Sequence, residues 1–311
     1  MNIKDKEFHY SETFYSMQGE GHYTGRPTVW LRYFLCNLQC NGFGQIDPTN
    51  PEKYFLPYQA LDVEEKDLMG EPKYKVMEDL PVFEHGCDSS YSWSKKFKHL
   101  QRKGTPDEIS KVLEDLLPNT CSFSNVHLCF TGGEPLMRHA QACTLGIIRS
   151  LVERDNPPMN ITFETNGTQA LTDDFFQHFN WYGTTAGFPE VFWSVSPKLW
   201  TVAGEKPEKA IKPENVAYYA QVNNCNGQLK FVANGTKECW DEIDSVINEF
   251  RAAGVDWPIW IMPVGATVEG QKAQIKGHHY EDGDIADMAL QRGWNVSARV
   301  HTYLWGNKIG V

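Results

Sequence analysis

The residues whose types and spacing could do chemistry begin with two cysteines, Cys36 and Cys40, which three residues separate. A third thiol would be expected three positions later, but Phe43 stands there, and the next cysteine is Cys87. We interpret the two fragments as halves of one cluster-binding loop, split by the 46 residues between Cys40 and Cys87. Three thiolates that hold an iron–sulfur cluster would leave its fourth iron open for chemistry.

Five further cysteines are scattered along the chain, at positions 121, 129, 143, 225 and 239. Disulfides are a poor interpretation of such a set in a reducing compartment. Cys129 and Cys143 lie among apolar neighbours, which predicts that they are small buried hydrophobes. Nothing in the pattern assigns a role to the other three.

A pair of glycines follows a predicted strand in Thr131-Gly132-Gly133-Glu134-Pro135. Glycine lets the backbone approach a ligand closely and exposes its amides, and a neighbouring carboxylate can accept from an ammonium group. Alone, the pattern would indicate a tight turn from strand to helix, with Glu134 in the first helical turn. Its combination with the cysteines favours a ligand site.

Two further strand ends carry polar groups that could contact a ligand. One offers Glu164 and Asn166 to ribose hydroxyls, although Asn-Gly is also a common turn. The next carries Ser194 near its end, followed by Ser196 and Lys198. Lysine in such a position is most often a solvated charge, but beside a proline at a strand end it could meet a carboxylate or phosphate.

A polar segment precedes the first predicted strand and contains Met17, Gln18, Gly19 and Glu20. Gln18 and Glu20 could read the donor and acceptor edge of a heterocycle, although an ordinary loop is the simpler alternative. Arg32 lies four residues before the first cysteine, so on an extended strand both face the same side. A guanidinium there could clamp a substrate carboxylate through two hydrogen bonds.

Short apolar runs that alternate with helical patterns must position these residues. The predicted strands are 28–35, 126–130, 160–163, 191–195, 228–232, 258–262 and 296–300, and the predicted helices are 106–117, 136–154, about 238–252 and about 281–292. Strands separated by helices pair in parallel through right-handed crossovers. We therefore predict an α/β fold, a partial or complete (β/α) barrel with mostly parallel strands, in which polar residues gather where the strands end.

The composition predicts one domain over residues 1–311, with an inserted segment at 41–86. The chain is 41% hydrophobic, and barrel-type α/β domains reach this length. The segment 41–86 has ten acidic residues, four lysines and five prolines, which indicates an acidic surface excursion with room for short helices.

The charge and the hydropathy pattern restrict the partners. A net charge of −11 argues against a non-specific grip on nucleic acid or an anionic membrane, since both need clustered Lys and Arg. The N-terminal residues lack the apolar stretch of a signal peptide, and no run approaches membrane-spanning length. We expect a cytoplasmic protein without direct contact with nucleic acid or membrane.

In combination, the cysteines and the segment 131–135 resemble the radical S-adenosylmethionine superfamily. Within it, the chain is similar to the 7-carboxy-7-deazaguanine synthase family. This second resemblance lies in segments 16–21, 87–93 and 196–198 and in Arg32, and the matched motifs are spread from about Ser11 to His301.

The resemblance implies a reaction, the conversion of 6-carboxy-5,6,7,8-tetrahydropterin to 7-carboxy-7-deazaguanine with loss of ammonia, on a path to deazapurine nucleosides such as queuosine. The implied cofactors are a four-iron four-sulfur (4Fe-4S) cluster, S-adenosyl-L-methionine and Mg²⁺. One electron, from a flavodoxin or ferredoxin, cleaves the sulfonium, and the deoxyadenosyl radical takes a hydrogen from the pterin. A homodimer is implied as well.

The resemblance also implies a role for each matched residue. Cys36, Cys40 and Cys87 would bind the cluster, and Ser89, in place of the family's threonine, would offer its hydroxyl to Mg²⁺. The S-adenosylmethionine site would comprise Gly86, Cys87, Asp88, Gly133, Glu134, Ser194, Ser196 and Lys198. The pterin site would comprise Met17, Gln18, Gly19, Glu20, Arg32, Thr131 and His301. The family usually has two residues between its second and third cysteines, so the assignment of Cys87 depends on accepting the insertion.

Three alternatives stay open. A zinc site could use the three cysteines and His85, but it would leave the glycine-rich turn unexplained. Another radical enzyme, above all an activase that installs a glycyl radical on a partner protein, would share the cluster motifs but lack Gln18, Glu20 and Arg32 in this arrangement. The third is a non-catalytic binding or regulatory protein, although the three thiols and Glu134 are intact.

Overall fold

A single nine-stranded sheet organises the part of the chain that this computed structural model describes, residues 5–185, 187, 189–275, 285–306 and 308–310. Its strands are β1 (Phe8–Met17), β2 (Pro27–Tyr33), β3 (Arg102–Gly104), β4 (His127–Gly132), β5 (Asn160–Thr165), β6 (Glu190–Val195), β7 (Cys225–Ala233), β8 (Ile259–Pro263) and β9 (Asn295–Val296). In space they lie in the order β3-β1-β2-β4-β5-β6-β7-β8-β9. β1 is antiparallel to β2 and β3, and every other pair is parallel. Because β3 and β9 each have a neighbour on one side only, the described sheet is open. The predicted α/β class with mostly parallel strands is confirmed.

Most of the described helices lie between parallel strands. The helices are α1 (Pro57–Ala60), α2 (Pro106–Asp115), α3 (Arg138–Glu153), α4 (Asp173–Thr185), α5 (Trp200–Ala203), α6 (Pro207–Ala210), α7 (Pro213–Tyr219), α8 (Lys237–Ala252), α9 (Val268–Ile275), α10 (Ile285–Gln291) and α11 (Val300–Trp305). The exceptions are α1, in the 41–86 segment, and α11, after the last strand. The N-terminus of α2 is fixed by a capping box, in which Thr105 and Glu108 each bond the other's main-chain amide. Within the described residues, no helix has the length and apolar character needed to cross a membrane.

Stacked aromatic rings align the central strands. The ring centroids of Phe130 and Phe163 lie 5.3 Å apart, those of Phe163 and Trp193 lie 5.0 Å apart, and all three side chains are buried. The same residues are direct partners in the register of β4, β5 and β6. Because side chains alternate along a strand, the next residue on each strand points to the opposite face. The core thereby places polar side chains at one level across three neighbouring strand ends.

The structure differs from the sequence prediction at the two ends of the sheet. The segment expected to be a loop before the first strand is in part the end of β1, where Met17 pairs with Pro27. The predicted strand 296–300 is mostly not a strand, because β9 ends at Val296 and α11 begins at Val300. The amide of Val300 leaves the sheet and donates to the carbonyl of Gly19 at 2.9 Å. Positions 281–284 of the predicted helix lie outside the described residues, and α10 follows them.

The segment 41–86 carries a small hydrophobic core of its own, together with α1 and two short 3₁₀ helices. Its buried members within the segment are Tyr58, Tyr74, Met77, Leu80 and Phe83. They pack with Tyr91, Phe97, Leu100 and Ile309, which lie outside the segment. The short helices agree with the prediction, and the apolar side chains attach this acidic excursion to the body of the protein.

Candidate active site

A cavity of about 290 Å³ opens at the carboxyl ends of the parallel strands. It is lined by most of the residues that the sequence motifs singled out: Met17, Gly19, Glu20, Arg32, Cys36, Cys40, Gly86, Cys87, Asp88, Ser89, Thr131, Gly133, Ser194, Ser196, Lys198 and His301. The side chains of Gln18 and Glu134 are buried beside it and do not line it. Residues far apart in sequence therefore meet where a barrel of this class places its chemistry.

The three motif cysteines meet at this cavity. Cys36, Cys40 and Cys87 pack in one apolar cluster with Leu38 and Phe43, and all three are free thiols. Burial raises the pKa of Cys36 to about 12, and it raises the pKa values of Cys40 and Cys87 as well. Thiols in such surroundings become thiolates when a bound metal neutralises their charge, so the donor set suits a metal–sulfur centre better than a free nucleophile.

Hydrogen bonds between the ends of the 41–86 segment bring the third cysteine to the other two. The amide of Gly86 donates to the carbonyl of Phe43 at 2.8 Å, and the amide of Leu35 donates to the carbonyl of Ser92 at 2.8 Å. Gly44 lies so close to the carbonyl of Glu84 that a Cβ would come within 2.6 Å of its oxygen. The halves of the split motif are thus joined in space.

The histidine of the alternative zinc site lies elsewhere. His85 does not line the cavity, and its ring packs edge-on against Phe55 with centroids 5.4 Å apart. Among the described residues, no group of three or more His, Cys, Asp or Glu side chains, the three motif cysteines included, is arranged to hold a single metal ion. The geometry therefore gives no support to a Cys₃His site built on His85.

The two glycines after β4 allow a close contact with the loop that carries Cys36. A Cβ on Gly133 would lie 2.0 Å from the carbonyl oxygen of Leu35, and Gly132 has a φ of +131°. The amides of Gly133 and Glu134 donate to the carbonyls of Tyr33 and Leu35 at 3.2 and 2.9 Å. Both amides therefore already have hydrogen-bond partners, at the end of β2 and in the loop that carries Cys36. The prediction that these amides are exposed to a ligand is wrong.

Glu134 connects the ends of two strands. Its carboxylate accepts hydrogen bonds from Thr165 Oγ1 at 2.7 Å, from the amide of Asn166 at 2.8 Å and from the amide of Leu136 at 3.0 Å. Burial raises the pKa of Glu134 to about 7 in spite of these bonds. The side chain is 1% exposed, so its predicted contact with an ammonium group stays a prediction, and the structure gives it a positioning role.

A chain of buried charges crosses the cavity. Glu20 is paired with Lys230 and with Arg299 Nε, the latter at 2.9 Å, and Arg299 Nη2 reaches Asp88 Oδ2 at 2.7 Å. Burial alone would raise the pKa of Glu20, but Lys230, Arg299 and His301 hold it far below its usual range. Burial likewise opposes ionisation of Asp88, and Arg299 outweighs it and lowers that pKa.

Sequence reasoning missed Lys230 and Arg299. A usable signal existed for Lys230, because it interrupts the apolar run of β7, and buried lysine requires a charged partner. Arg299 carries no such signal, since a lone arginine near the C-terminus is ordinary in sequence.

Arg32 is held by Glu12, another residue that the motifs did not reveal. Arg32 Nε donates to Glu12 Oε1 at 2.6 Å, and the hydroxyl of Tyr91 donates to the same oxygen at 2.9 Å. Within the described chain, the terminal nitrogens of Arg32 have no hydrogen-bond partner, and Glu12 Oε2 is buried and unpartnered. The guanidinium is thus fixed by one edge and leaves the other edge for a ligand.

Three more predicted residues fix local geometry. Gln18 Nε2 donates to Glu164 Oε1 at 3.1 Å, and Gln18 Oε1 accepts from the amide of Glu20 at 3.0 Å, so this side chain shapes its own loop. Thr131 Oγ1 donates to Glu164 Oε2 at 3.1 Å. Lys198 Nζ donates to Ser196 Oγ at 2.9 Å. The predicted role of Gln18 in reading a heterocycle therefore stays a prediction.

A flat aromatic surface also faces the cavity. The rings of Phe14 and Trp30 stack with centroids 5.6 Å apart and an interplanar angle of 9°. Trp30 Nε1 is buried without a hydrogen-bond partner in the described part of the chain. Such a pair offers a planar ligand an apolar contact beside an unused donor.

Comparison with known proteins finds relatives that share one name. No family model matches the sequence. The 7-carboxy-7-deazaguanine synthase of Halobacterium salinarum is 24% identical over 96% of this chain and 90% of its own length. The enzymes of that name from Rhodopirellula baltica and Pyrobaculum aerophilum are 24% and 23% identical, again over 96% of this chain, and over 87% and 95% of their own lengths. A crystal structure of QueE from Escherichia coli aligns with a TM-score of 0.48 at 16% identity, over 95% of each chain.

Proposed function

We propose that this chain is a radical S-adenosylmethionine enzyme that converts 6-carboxy-5,6,7,8-tetrahydropterin to 7-carboxy-7-deazaguanine with loss of ammonia. The names of the full-length relatives agree with the activity that the motifs predict. The observation that carries the proposal is the meeting of the three cysteines and the substrate-side residues at one cavity. Neither set alone would specify this reaction.

The chemistry of the thiol set fits a 4Fe-4S cluster. Cys36, Cys40 and Cys87 would supply three thiolates in an apolar pocket and leave one iron for S-adenosylmethionine. When bound, the cluster and S-adenosylmethionine supply the radical chemistry that removes a hydrogen atom from the pterin. The residues of the chain bind and orient the reactants and exclude water from them.

The pterin has a carboxylate and a flat ring system, and the cavity has a complementary group for each. The free edge of Arg32 can donate two parallel hydrogen bonds to the carboxylate. The stacked Phe14 and Trp30 can contact the ring. Glu20, which Lys230 and Arg299 keep ionised, can accept from ring N–H groups. Met17, Gly19, Thr131 and His301 complete the proposed pterin site.

The opposite part of the cavity suits S-adenosylmethionine. Glu164 offers a carboxylate to ribose hydroxyls, and Ser194, Ser196 and Lys198 follow at the next strand end, whereas the Asn166 amide already bonds Asn37 and Thr168. Gly86, Asp88, Gly133 and the main chain of Glu134 border the cysteine loops. The Ser89 hydroxyl, 3.4 Å from Cys87 Sγ, is the oxygen that we assign to Mg²⁺, a hard ion that substrate and water would coordinate further.

The remaining parts of the proposal concern partners and location. The reaction needs one electron, for which we propose a flavodoxin or ferredoxin as donor. We propose a homodimer on the resemblance alone, and a cytoplasmic location on the sequence pattern. The 41–86 segment then serves as an insertion within a single domain.

The proposal is tested by anaerobic reconstitution with iron and sulfide, followed by incubation with the pterin, S-adenosylmethionine, dithionite and Mg²⁺. We expect 7-carboxy-7-deazaguanine by mass spectrometry, with product and cluster both lost in Cys87→Ala. Cys121→Ala is the matched control and should keep both, because that thiol lies outside the cavity. Cleavage of S-adenosylmethionine with an unchanged pterin would point to another radical substrate, and zinc in place of iron would overturn the proposal.

A further inference from the structure

Arg299 joins three segments that border the cavity. Its Nε donates to Glu20 Oε1 at 2.9 Å, its Nη1 donates to the carbonyl of Gly265 at 3.0 Å, and its Nη2 donates to Asp88 Oδ2 at 2.7 Å. Glu20 belongs to the proposed pterin site, and Asp88 directly follows the third cluster cysteine. The Arg299 side chain is 11% exposed and that of Glu20 14%, so their bond forms in a largely water-free environment, whereas Asp88 is 34% exposed.

We propose that Arg299 is a positioning residue that sets the distance between the Cys87 loop and the pterin site, acting through Asp88 and Glu20. The inference deepens the proposed function and rests on it. In a radical reaction the reacting atoms must be held close and correctly oriented, so a residue that fixes two halves of the site controls the rate without touching the reactants.

Only arginine satisfies all three contacts. Its planar guanidinium presents donors in three directions at once, whereas lysine has a single ammonium and glutamine has a single short amide. Two carboxylates converge on this one cation, Glu20 with a side chain 14% exposed and Asp88 with a side chain 34% exposed, so the loss of water is larger at Glu20. Removal of Arg299 would therefore unlink the Asp88 loop from the Glu20 loop, which Lys230 and the Val300–Gly19 hydrogen bond would still hold.

Val300 and His301, which follow Arg299, contact the loop that carries Glu20. The amide of Val300 donates to the carbonyl of Gly19 at 2.9 Å, and a Cβ on Gly19 would lie 2.0 Å from His301 Nδ1. The start of α11 is thus packed directly against the loop that carries Glu20. Of these contacts, the Arg299–Asp88 pair is the one that extends to the cysteine loop.

The test compares Arg299→Gln with Arg154→Gln. Arg154 also bridges two carboxylates, Asp107 and Glu114, each at 2.6 Å, but it lies outside the cavity. We expect Arg299→Gln to lower kcat about a hundredfold, because a displacement of the reacting atoms by about 1 Å has an effect of that size. We also expect it to raise the ratio of S-adenosylmethionine cleaved to product formed. Arg154→Gln should lower only the denaturation midpoint.

A second readout uses the protein without its cluster. Mass spectrometry of thiol-labelled peptides should show faster labelling of Cys87 in Arg299→Gln than in the wild type, with Cys36 as the internal reference. If Arg299→Gln does not fold, Arg299→Lys keeps the charge and should give the same two effects. An unchanged cleavage ratio together with unchanged Cys87 labelling would overturn the inference, whereas a wild-type protein that makes no product would overturn the proposed function instead.

Discussion

The buried pair of Glu20 and Lys230 predicts a large stability effect. In Glu20→Gln, Arg299 keeps its bond to Asp88, but Lys230 loses the partner that neutralises it. Lys230 is 5% exposed, so its ammonium would remain in a largely water-free site, where Glu164 attracts it and the like charge of Arg299 repels it. Removing one partner of a buried pair costs about 3–5 kcal/mol, and we expect about 3 kcal/mol here because Glu164 offsets part of the loss.

The stability of Glu20→Gln should depend on pH, because it depends on the protonation of Lys230. Burial lowers the pKa of Lys230, and Glu20 reverses that shift in the wild type. Without Glu20, the folded state releases the Lys230 proton at lower pH than the unfolded state does. The unfolded state then binds more protons, so the stability of Glu20→Gln rises with pH, and its deficit shrinks toward pH 10.

Urea denaturation of the cluster-free protein measures the effect. The double variant Glu20→Gln/Lys230→Met removes both charges and should recover most of the lost free energy of unfolding without recovering activity. Glu65→Gln, which breaks an exposed pair with Lys73, is the control and should cost less than about 1 kcal/mol. The reasoning is refuted if Glu20→Gln is as stable as the wild type, or if the double variant is no more stable than Glu20→Gln.

Three further predictions concern other parts of the site. Burial raises the pKa of Glu134 from 4.5 to about 7, so between these pH values the folded state keeps a proton that the unfolded state releases. The free energy of unfolding of the wild type should therefore fall by up to about 3 kcal/mol between pH 4.5 and 7. Glu134→Gln should lack this slope, and parallel curves in thermal denaturation against pH would contradict the assignment. Gly133→Ala should lower the free energy of unfolding by about 1–3 kcal/mol and reduce iron content, because its Cβ would meet the Leu35 carbonyl. Gly104→Ala, whose Cβ has ordinary contacts of 3.4 Å or more, should keep its iron. Arg32→Lys keeps the charge but loses the bidentate edge, so the KM for the pterin should rise about tenfold or more with a smaller change in kcat, and an unchanged KM would exclude the carboxylate clamp.

Local patterns predicted the parallel part of the fold well, for a physical reason. Buried parallel strands are nearly continuous apolar runs, as in stretches 126–130 and 191–195, where only His127 and Ser194 are polar. The end of β1 was mistaken for a loop because its polar and aromatic residues do not form such a run. The strand predicted at 296–300 was too long because the amide of Val300 bonds a loop from the other end of the chain.

Only those residues of the candidate site that belong to a short sequence motif could be predicted. The split cysteine motif and the strand-end residues are short patterns, and the structure brings them to one cavity. Glu12, Lys230 and Arg299 act through partners distant in sequence, such as the Arg299–Glu20 pair, so no motif gathers them, and only Lys230 carries a local signal, as a lysine within an apolar strand.

The split of the cysteine motif by the 41–86 segment has a consequence for how the metal centre is made. In a newly synthesised chain Cys36 and Cys40 are neighbours, but closing the 46-residue loop to Cys87 costs about 3 kcal/mol of chain entropy. The small core of the segment and the Gly86–Phe43 hydrogen bond offset that cost. Folding of the segment should therefore precede stable cluster insertion. Doubling the length of the segment would add only about 0.6 kcal/mol to this entropic cost of loop closure. Changes in its length should therefore be tolerated as long as its two ends stay joined.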